Sequence, residues 1–474
     1  MFQILMQLWY YEHQRKAPFF KGILIMNEHE TARRKPYRLR VSHVLIILLL
    51  IGAGSFTIFR LQLRSKLQAK IDAIRDAGYP VTCAELDKWY MIPENTENAA
   101  YTFIDAFWCY RDWDKTKSES LPLIGQAKLP ARTEPLPEDM KAAIAQYIAD
   151  NNEALTLLHK AAVIEHCRYP VDLSSGFDMQ LKHLSNLRKG IMLLNLEAVW
   201  HAENGKSQSA FHSVISGFGL ARSLAKEPII VSQLVRMACH GLAISGLERA
   251  INRTEFTDEQ LAEICRFLSG DEDHSALASV YAGERCNFLN ALAKSEILKS
   301  AINNNDMPFT PVLELYKAIG LADMDAMIYL DFINEYIEIT KLPLHQRRKA
   351  SDALEARLTS ISNIHVLLHI LMPSLSRIAT IELRGIAGLR AAQAGIAVER
   401  YRLAAGKLPD SLTELVPAYL ESVPKDPFDG NEIRYKKLES GFVVYSICED
   451  LSDDGGKEKT KESKNWDVTF IVER

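Results

Sequence analysis

Apolar and polar positions follow three regimes along this chain. From Val41 to Phe59 the run VSHVLIILLLIGAGSFTIF has no charged residue in nineteen positions. From Ser65 to about Ser376 apolar residues return every three or four positions, as in Ile144, Ile148, Leu155 and Leu158, or Leu187, Ile191, Leu194 and Ala198. That period predicts helices that each bury one stripe. Breakers at Pro170, Gly205, Pro228, Gly270, Pro308 and Pro343 leave short connections, which predict antiparallel helical hairpins. After about Ala379 the pattern changes. A long Ala-rich helix, with Leu383, Ile386, Ala387, Ala394, Ala397, Tyr401 and Ala404 on one small apolar face, ends at Gly406. KLPDSLTEL then predicts a cap at Asp410 or Ser411 and a short helix, and Pro417, Pro424 and Pro427 enforce extended or turn geometry. Ile433–Tyr435 and Phe442–Ser446 read as a hairpin, with Trp466–Val472 as a third strand. The fold class is therefore mainly α: an N-terminal transmembrane helix, an irregular helical-hairpin domain, and a small C-terminal α+β module with an antiparallel sheet. The expected organisation is a cytoplasmic basic leader over 1–40, a transmembrane anchor over 41–60, an extracytoplasmic helical domain over 61–378 and the α+β module over 379–474.

At about 1.5 Å per residue, nineteen helical residues just span a hydrocarbon core of about 30 Å. Arg33, Arg34, Lys35, Arg38 and Arg40 crowd the leading flank, whereas Arg60, Arg64 and Lys66 are soon balanced by Asp72 and Asp76. The positive-inside rule then puts the N-terminus in the cytoplasm and the bulk of the chain outside it. In a diderm bacterium this means the inner membrane, single-pass, with a periplasmic domain. A cleavable signal peptide is the competing reading, because Gly52-Ala53-Gly54-Ser55 offers small residues; Phe56–Phe59 extends the apolar run beyond that point. Met26 opens a short polar leader and is an alternative start.

Composition narrows the chemistry. The 474 residues are 47% apolar and 24% charged with a net charge of −4, which suits a folded chain and gives no basic excess for a nucleic-acid partner. Seven scattered cysteines without a CxxC pair read as small buried residues. His201, His212, His240 and His274 lack the HExxH or HxxEH spacing that sets two ligands on one helical face, and read as satisfied or solvent-facing. No GxSxG, GxxxxGK[ST] or GxGxxG motif occurs. Glu284-Arg285 and Glu382 near Arg384 read as partly buried ion pairs that fix helix register. KEKTKESK reads as a solvated loop, and the dense aromatics Trp89, Tyr90, Phe107, Trp108, Tyr110 and Trp113 as core packing, with a partner or membrane-surface contact as the other use.

Three segments carry resemblances. LLNLEAVWHAENGKSQSAFHSVISGFGLARSLAK, with Gly205 ending one helix and Ser207 opening the next, resembles a single tetratricopeptide-type hairpin, without the repeat signature. IDAIRDAGYPVTCAELDKWYMIPENTENAAYTFIDAF, with Thr82 and Glu85 at capping-box spacing, resembles segments of uncharacterised membrane-anchored proteins of planctomycete-like and verrucomicrobia-like bacteria. The last fifth of the chain, through Gly406, Leu408-Pro409, Asp426-Pro427, Tyr435, Tyr445-Ser446 and Asp467 in order, resembles the globular head of the type II secretion major pseudopilin. That resemblance implies a small sheet on a long helix and a calcium site in the loop between the last strands. Asp450, Asp453, Asp454 and Asp467 would supply part of the six to eight oxygens that calcium takes. In the alternative reading DDGG is a polar turn whose acids face water.

Two departures separate the chain from a pilin subunit: Cys448 stands where the family has a glycine, and about 320 residues intervene between anchor and head, with no prepilin peptidase site. The chain is therefore expected not to polymerise as a pilin. The expected function is non-enzymatic, as an interaction or scaffold protein of the bacterial envelope beside a secretion or pilus-like system, with the lipid bilayer and envelope proteins as partners. Two alternatives are an accessory pseudopilus component, and an envelope hydrolase or sugar-binding protein whose site in the helical domain would show facing carboxylates or a desolvated histidine with an acid partner.

Overall fold

In the computed structural model, residues 41–272, 276–294, 309–372, 375–460 and 463–474 are described. The basic leader over 1–40, Pro308 and His274 lie outside the described residues. The chain divides into two compact units, Met1–Ile58 and Phe59–Arg474.

In the first unit the described residues form the beginning of α1 (Val41–Asp76), and every side chain from Val41 to Phe59 is exposed. Two further helical stretches, Ile230–Ile251 and Val366–Ala405, are long and apolar enough to cross a membrane, but over half of each apolar window is buried inside the fold. Burial against protein explains their apolarity; α1 before residue 60 has no such cover.

In the second unit the rest of α1 leads through Gly78 to α2 (Cys83–Trp89). Half of the expected capping box is present: Thr82 Oγ1 accepts from Glu85 N–H at 3.1 Å, whereas Glu85 Oε2 accepts from Val81 N–H, one residue before the cap, at 2.8 Å. Next come α3 (Ala99–Cys109), α4 (Lys115–Ser118), α5 (Glu138–Asp150) and α6 (Asn152–Ala162). They pack on the hairpin of α7 (Lys182–Glu203) and α8 (Ser207–Arg222). The hairpin turn is tighter than the sequence suggests. Lys206 N–H reaches back to His201 O at 2.9 Å and Gly205 N–H to Ala202 O at 3.0 Å, a Schellman closure around Gly205 at φ 66°. Lys206 consequently takes the capping position, and Ser207 is already helical without a side-chain cap.

Helices α9 (Ile230–Ile251), α10 (Asp258–Asp271), α11 (Ala276–Ala293), α12 (Phe309–Ile319), α13 (Leu321–Ile339), α14 (Leu344–Thr359) and α15 (Val366–Leu371) complete the helical region. Then α16 (Leu375–Ala405) runs unbroken to Gly406, which sits at φ 68°. A short 3-10 turn at Leu412–Leu415 precedes β1 (Arg434–Lys437), β2 (Phe442–Ser446) and β3 (Val468–Val472). They form an antiparallel sheet in the order β1-β2-β3, pairing Tyr435 with Val444 and Val444 with Phe470. Strand β1 starts one residue later than expected and runs two further.

One hydrophobic core contains Leu158, Leu194, Phe218 and Leu247 of the helices together with Ala394, Ala397, Phe442 and Phe470 of the C-terminal module. The small face of α16 makes this packing feasible: a Cβ on Gly395 would lie 2.4 Å from the Phe470 ring. A second core gathers α11, α13, α15 and the start of α16 around Phe288, Tyr329 and Leu368.

The acid of the Asp426-Pro427 pair is a buried hub. Its oxygens accept from Phe428 N–H (2.9 Å), Ser446 Oγ (2.8 Å), Ile447 N–H (3.0 Å) and Arg434 Nη1 (2.8 Å), so it ties the wrapped segment to β1 and β2. Tyr435 Oη likewise donates to Pro409 O at 3.0 Å. Replacing Asp426 with Ala should leave two buried N–H groups and the Ser446 hydroxyl short of partners and half-buried Arg434 hydrogen-bonded to Asp429 alone, a loss of about 3 to 5 kcal/mol. Urea unfolding of the detergent-solubilised chain would measure it; a loss below 1 kcal/mol would refute the hub.

Candidate functional site

The four aspartates of the expected calcium site divide into two groups. Asp450 Oδ1 accepts from Ser452 N–H within its own turn, and Asp453 Oδ1 accepts from Gly455 N–H (3.0 Å) and Tyr445 Oη (3.1 Å). Asp467 Oδ2 accepts from Gly456 N–H at 2.8 Å, but its Oδ1 and Asp454 Oδ2 are buried without a hydrogen-bond partner. Burial, together with the charges of Asp454 and Asp453, holds the Asp467 carboxyl above the usual carboxylate range. Among the described residues no group of three or more His, Cys, Asp or Glu side chains is arranged to hold a metal ion. The geometry therefore offers a carboxylate pair, Asp454 and Asp467, with two orphaned oxygens; main-chain carbonyls would have to complete a calcium shell. Asp450 is committed to its own turn. Cys448 takes φ 59°, the left-handed conformation that favours glycine.

Because its folded pKa is raised, Asp467 favours the fold below its unfolded pKa, and that contribution is lost as pH rises through the folded pKa. A bound cation would relieve the repulsion. Calcium at neutral pH should raise the melting temperature of the detergent-solubilised chain, and D454N/D467N should abolish the rise. An equal rise in that variant would rule out this pair as the ligand.

Histidine–acid pairs occur within the helical region. His159 Nε2 lies 2.9 Å from Glu197 Oε2 and its Nδ1 lies 2.7 Å from Ser216 Oγ; Ser213 Oγ donates to the same Glu197 oxygen at 2.8 Å. His183 pairs with Glu227 at 3.0 Å, His365 with Asp325 at 2.6 Å, and His240 stands 3.4 Å from Asp271. Burial keeps the His240 imidazole below its usual range despite Asp271, and also lowers His201. His212 is exposed beside Gln208. The Ser216–His159–Glu197 contacts have the membership of a hydrolytic triad, but Ser216 is buried inside α8, where main-chain N–H groups are spent on the helix and supply no oxyanion hole. These pairs join helices distant in sequence, so no local spacing could have revealed them.

Neither expected ion pair forms within itself: Glu382 and Arg384 find other charged partners, whereas Glu284 and Arg285 bind neutral groups. Arg384 pairs with Glu449 at 2.5 Å and Glu382 with Arg347 at 3.4 Å. Arg285 donates to Asn334 Oδ1 (3.2 Å) and Pro80 O (3.0 Å), whereas the Glu284 carboxyl accepts from the Ile230 main-chain N–H. Neighbours at i and i+1, or i and i+2, point to different sides of a helix, so neither sequence pair can face itself. Burial pushes the Glu284 carboxyl up to about 7 from 4.5. A raised carboxyl favours the fold at low pH, so stability should fall by about 3 kcal/mol as pH rises from about 4.5 to 7. Glu284→Gln should flatten that part of the profile in urea unfolding at pH 5 and pH 8; an unchanged slope would contradict the burial effect.

The aromatic cluster also divides. Tyr90 is buried, and Trp113 stacks edge-on to Tyr147 at 5.1 Å while donating Nε1–H to Asp150. Trp108 and Tyr101, seven residues apart on one face of α3, are 84% and 62% exposed, and Trp89 is 42% exposed. A separate open groove of about 1440 Å³ lies between α10, α16, the start of α14 and the segment 419–432. Within it Arg390 pairs with Glu272, and Arg400 reaches Asp258 outside the groove at 2.7 Å.

No protein-family model matches the chain, and no curated protein or solved structure matches it either.

Proposed function

We propose that this chain is a membrane-anchored interaction or scaffold protein of the bacterial envelope, with the helical region and the α+β module on the extracytoplasmic side. The observation that carries the reading is the Tyr101–Trp108 stripe. An exposed tryptophan and tyrosine on one helix face are costly in water and are the residue types that dominate protein interfaces. Phe103 and Ala106 fix the opposite face of α3 in the core, so the stripe is held rigidly outward. The pseudopilin likeness favours a partner from a secretion or pilus-like assembly. A second reading, a protein that binds a polar polymer such as a glycan strand, is favoured by the open groove with its guanidinium, carboxylate and tyrosine groups.

A photo-crosslinking residue at position 108 of the full chain, irradiated in intact cells of its source, should give one defined adduct with an envelope protein. The same residue at exposed Glu439 should not. Equal yields at both positions would overturn the interface reading, and glycan adducts confined to the groove would favour the second.

A further inference from the structure

Arg60 is the first charged residue after the uncharged run, so covalent connectivity puts it at the edge of whatever hydrocarbon layer that run occupies. Within the folded unit its guanidinium donates to Asp323 Oδ2 at 2.6 Å and to Lys317 O at 3.1 Å. The corner between α12 and α13 is therefore held within one arginine side chain of the membrane exit.

The outward faces around this corner carry exposed apolar side chains interspersed with Glu314, Asn363 and His369. Leu315 and Ile319, one turn apart on α12, are 61% and 42% exposed. Ile364, Val366 and Ile370, before and along α15, are 55%, 43% and 44% exposed. Buried Asp325 binds the two elements together: its Oδ1 meets His365 Nδ1 at 2.6 Å, and its Oδ2 meets Tyr316 Oη at 2.8 Å and Leu368 N–H at 3.2 Å. The Tyr316 hydroxyl also accepts from Val366 N–H at 3.1 Å and lies 2.8 Å from Ile364 O. The apolar side chains therefore belong to one rigid, hydrogen-bonded platform. Arg64, whose side chain is 69% exposed, and exposed Lys66 stand one to two turns beyond Arg60, at the level of lipid headgroups.

We propose that the outward faces of α12 and α15 lie in the membrane interface beside the exit of α1, so that the folded unit rests on the bilayer as well as being tethered to it. The occupant is lipid because Arg60, the first residue after the uncharged run, is bonded to the corner of the platform, which supplies the apolar groups of an interfacial contact while Arg64 and Lys66 of α1 supply the cationic ones. The proposal rests on the anchored reading, and the test separates the two.

The full chain is reconstituted into vesicles of phosphatidylethanolamine and phosphatidylglycerol, with an environment-sensitive fluorescent amino acid at position 315 or 370 and, as control, at 439. Emission from 315 and 370 should be blue-shifted and quenched by lipids carrying a shallow nitroxide, and emission from 439 should be neither. In parallel, the unsubstituted chain with a photoactivatable phospholipid should give adducts in 309–319 and 366–371 as well as in the spanning run. A chain that floats with vesicles yet shows water-like emission and adducts only in 41–59 would overturn the platform and leave the anchor standing. A chain that fails to float would overturn both. Blue-shifted emission that ignores lipid quenchers and scales with protein density would replace lipid with a second copy.

Discussion

Water cannot solvate a helix that is apolar on every side, and this constraint governs the rest of the molecule. From Val41 to Phe59 no side chain is covered by protein. A bilayer satisfies the run because the helix bonds its own main chain and needs only an apolar solvent around it. The stretches at 230–251 and 366–405, less apolar but still long and apolar enough to cross a membrane, meet the same demand by burial in the folded unit. Apolarity alone does not separate anchor from core; the neighbours do.

Within the folded unit the recurring device is a buried carboxylate that accepts several hydrogen bonds from distant segments. Asp325 joins α12 to α15, and Asp426 joins the C-terminal wrap to β1 and β2. A carboxyl group is tolerated in such interiors when main-chain N–H groups and polar side chains surround it. Glu284 is the counterexample, a carboxyl whose surroundings favour the protonated form. The histidine–acid pairs use the same principle, each tying together segments distant in sequence.

The helical period, the uncharged run, the Thr82–Glu85 cap, the Gly205 and Gly406 stops and the three strands were all legible, because each is a local pattern in which a few neighbouring residues decide the backbone. The Asp426-Pro427 and Tyr435 signals were visible as motifs, but their roles required the sheet to bring Ser446 and Arg434 to the acid. What stayed hidden was long-range. Arg384 finds Glu449 sixty-five residues away, and Arg60 finds Asp323 across 263. The aromatic cluster was misleading because density in sequence does not set direction: Trp113 turns inward on Tyr147 while Trp108 faces solvent. At the C-terminal acidic turn, which acids keep an orphaned oxygen depends on donors supplied by Gly456 and Tyr445.

The most direct measurement is alkaline extraction of membranes from cells that make the full chain, followed by detergent. If the uncharged run spans a bilayer, the intact chain stays with the membrane pellet at high pH and is released only when detergent dissolves the lipid. Recovery of the full-length chain in the soluble fraction before any detergent is added would contradict the anchor and everything that depends on it.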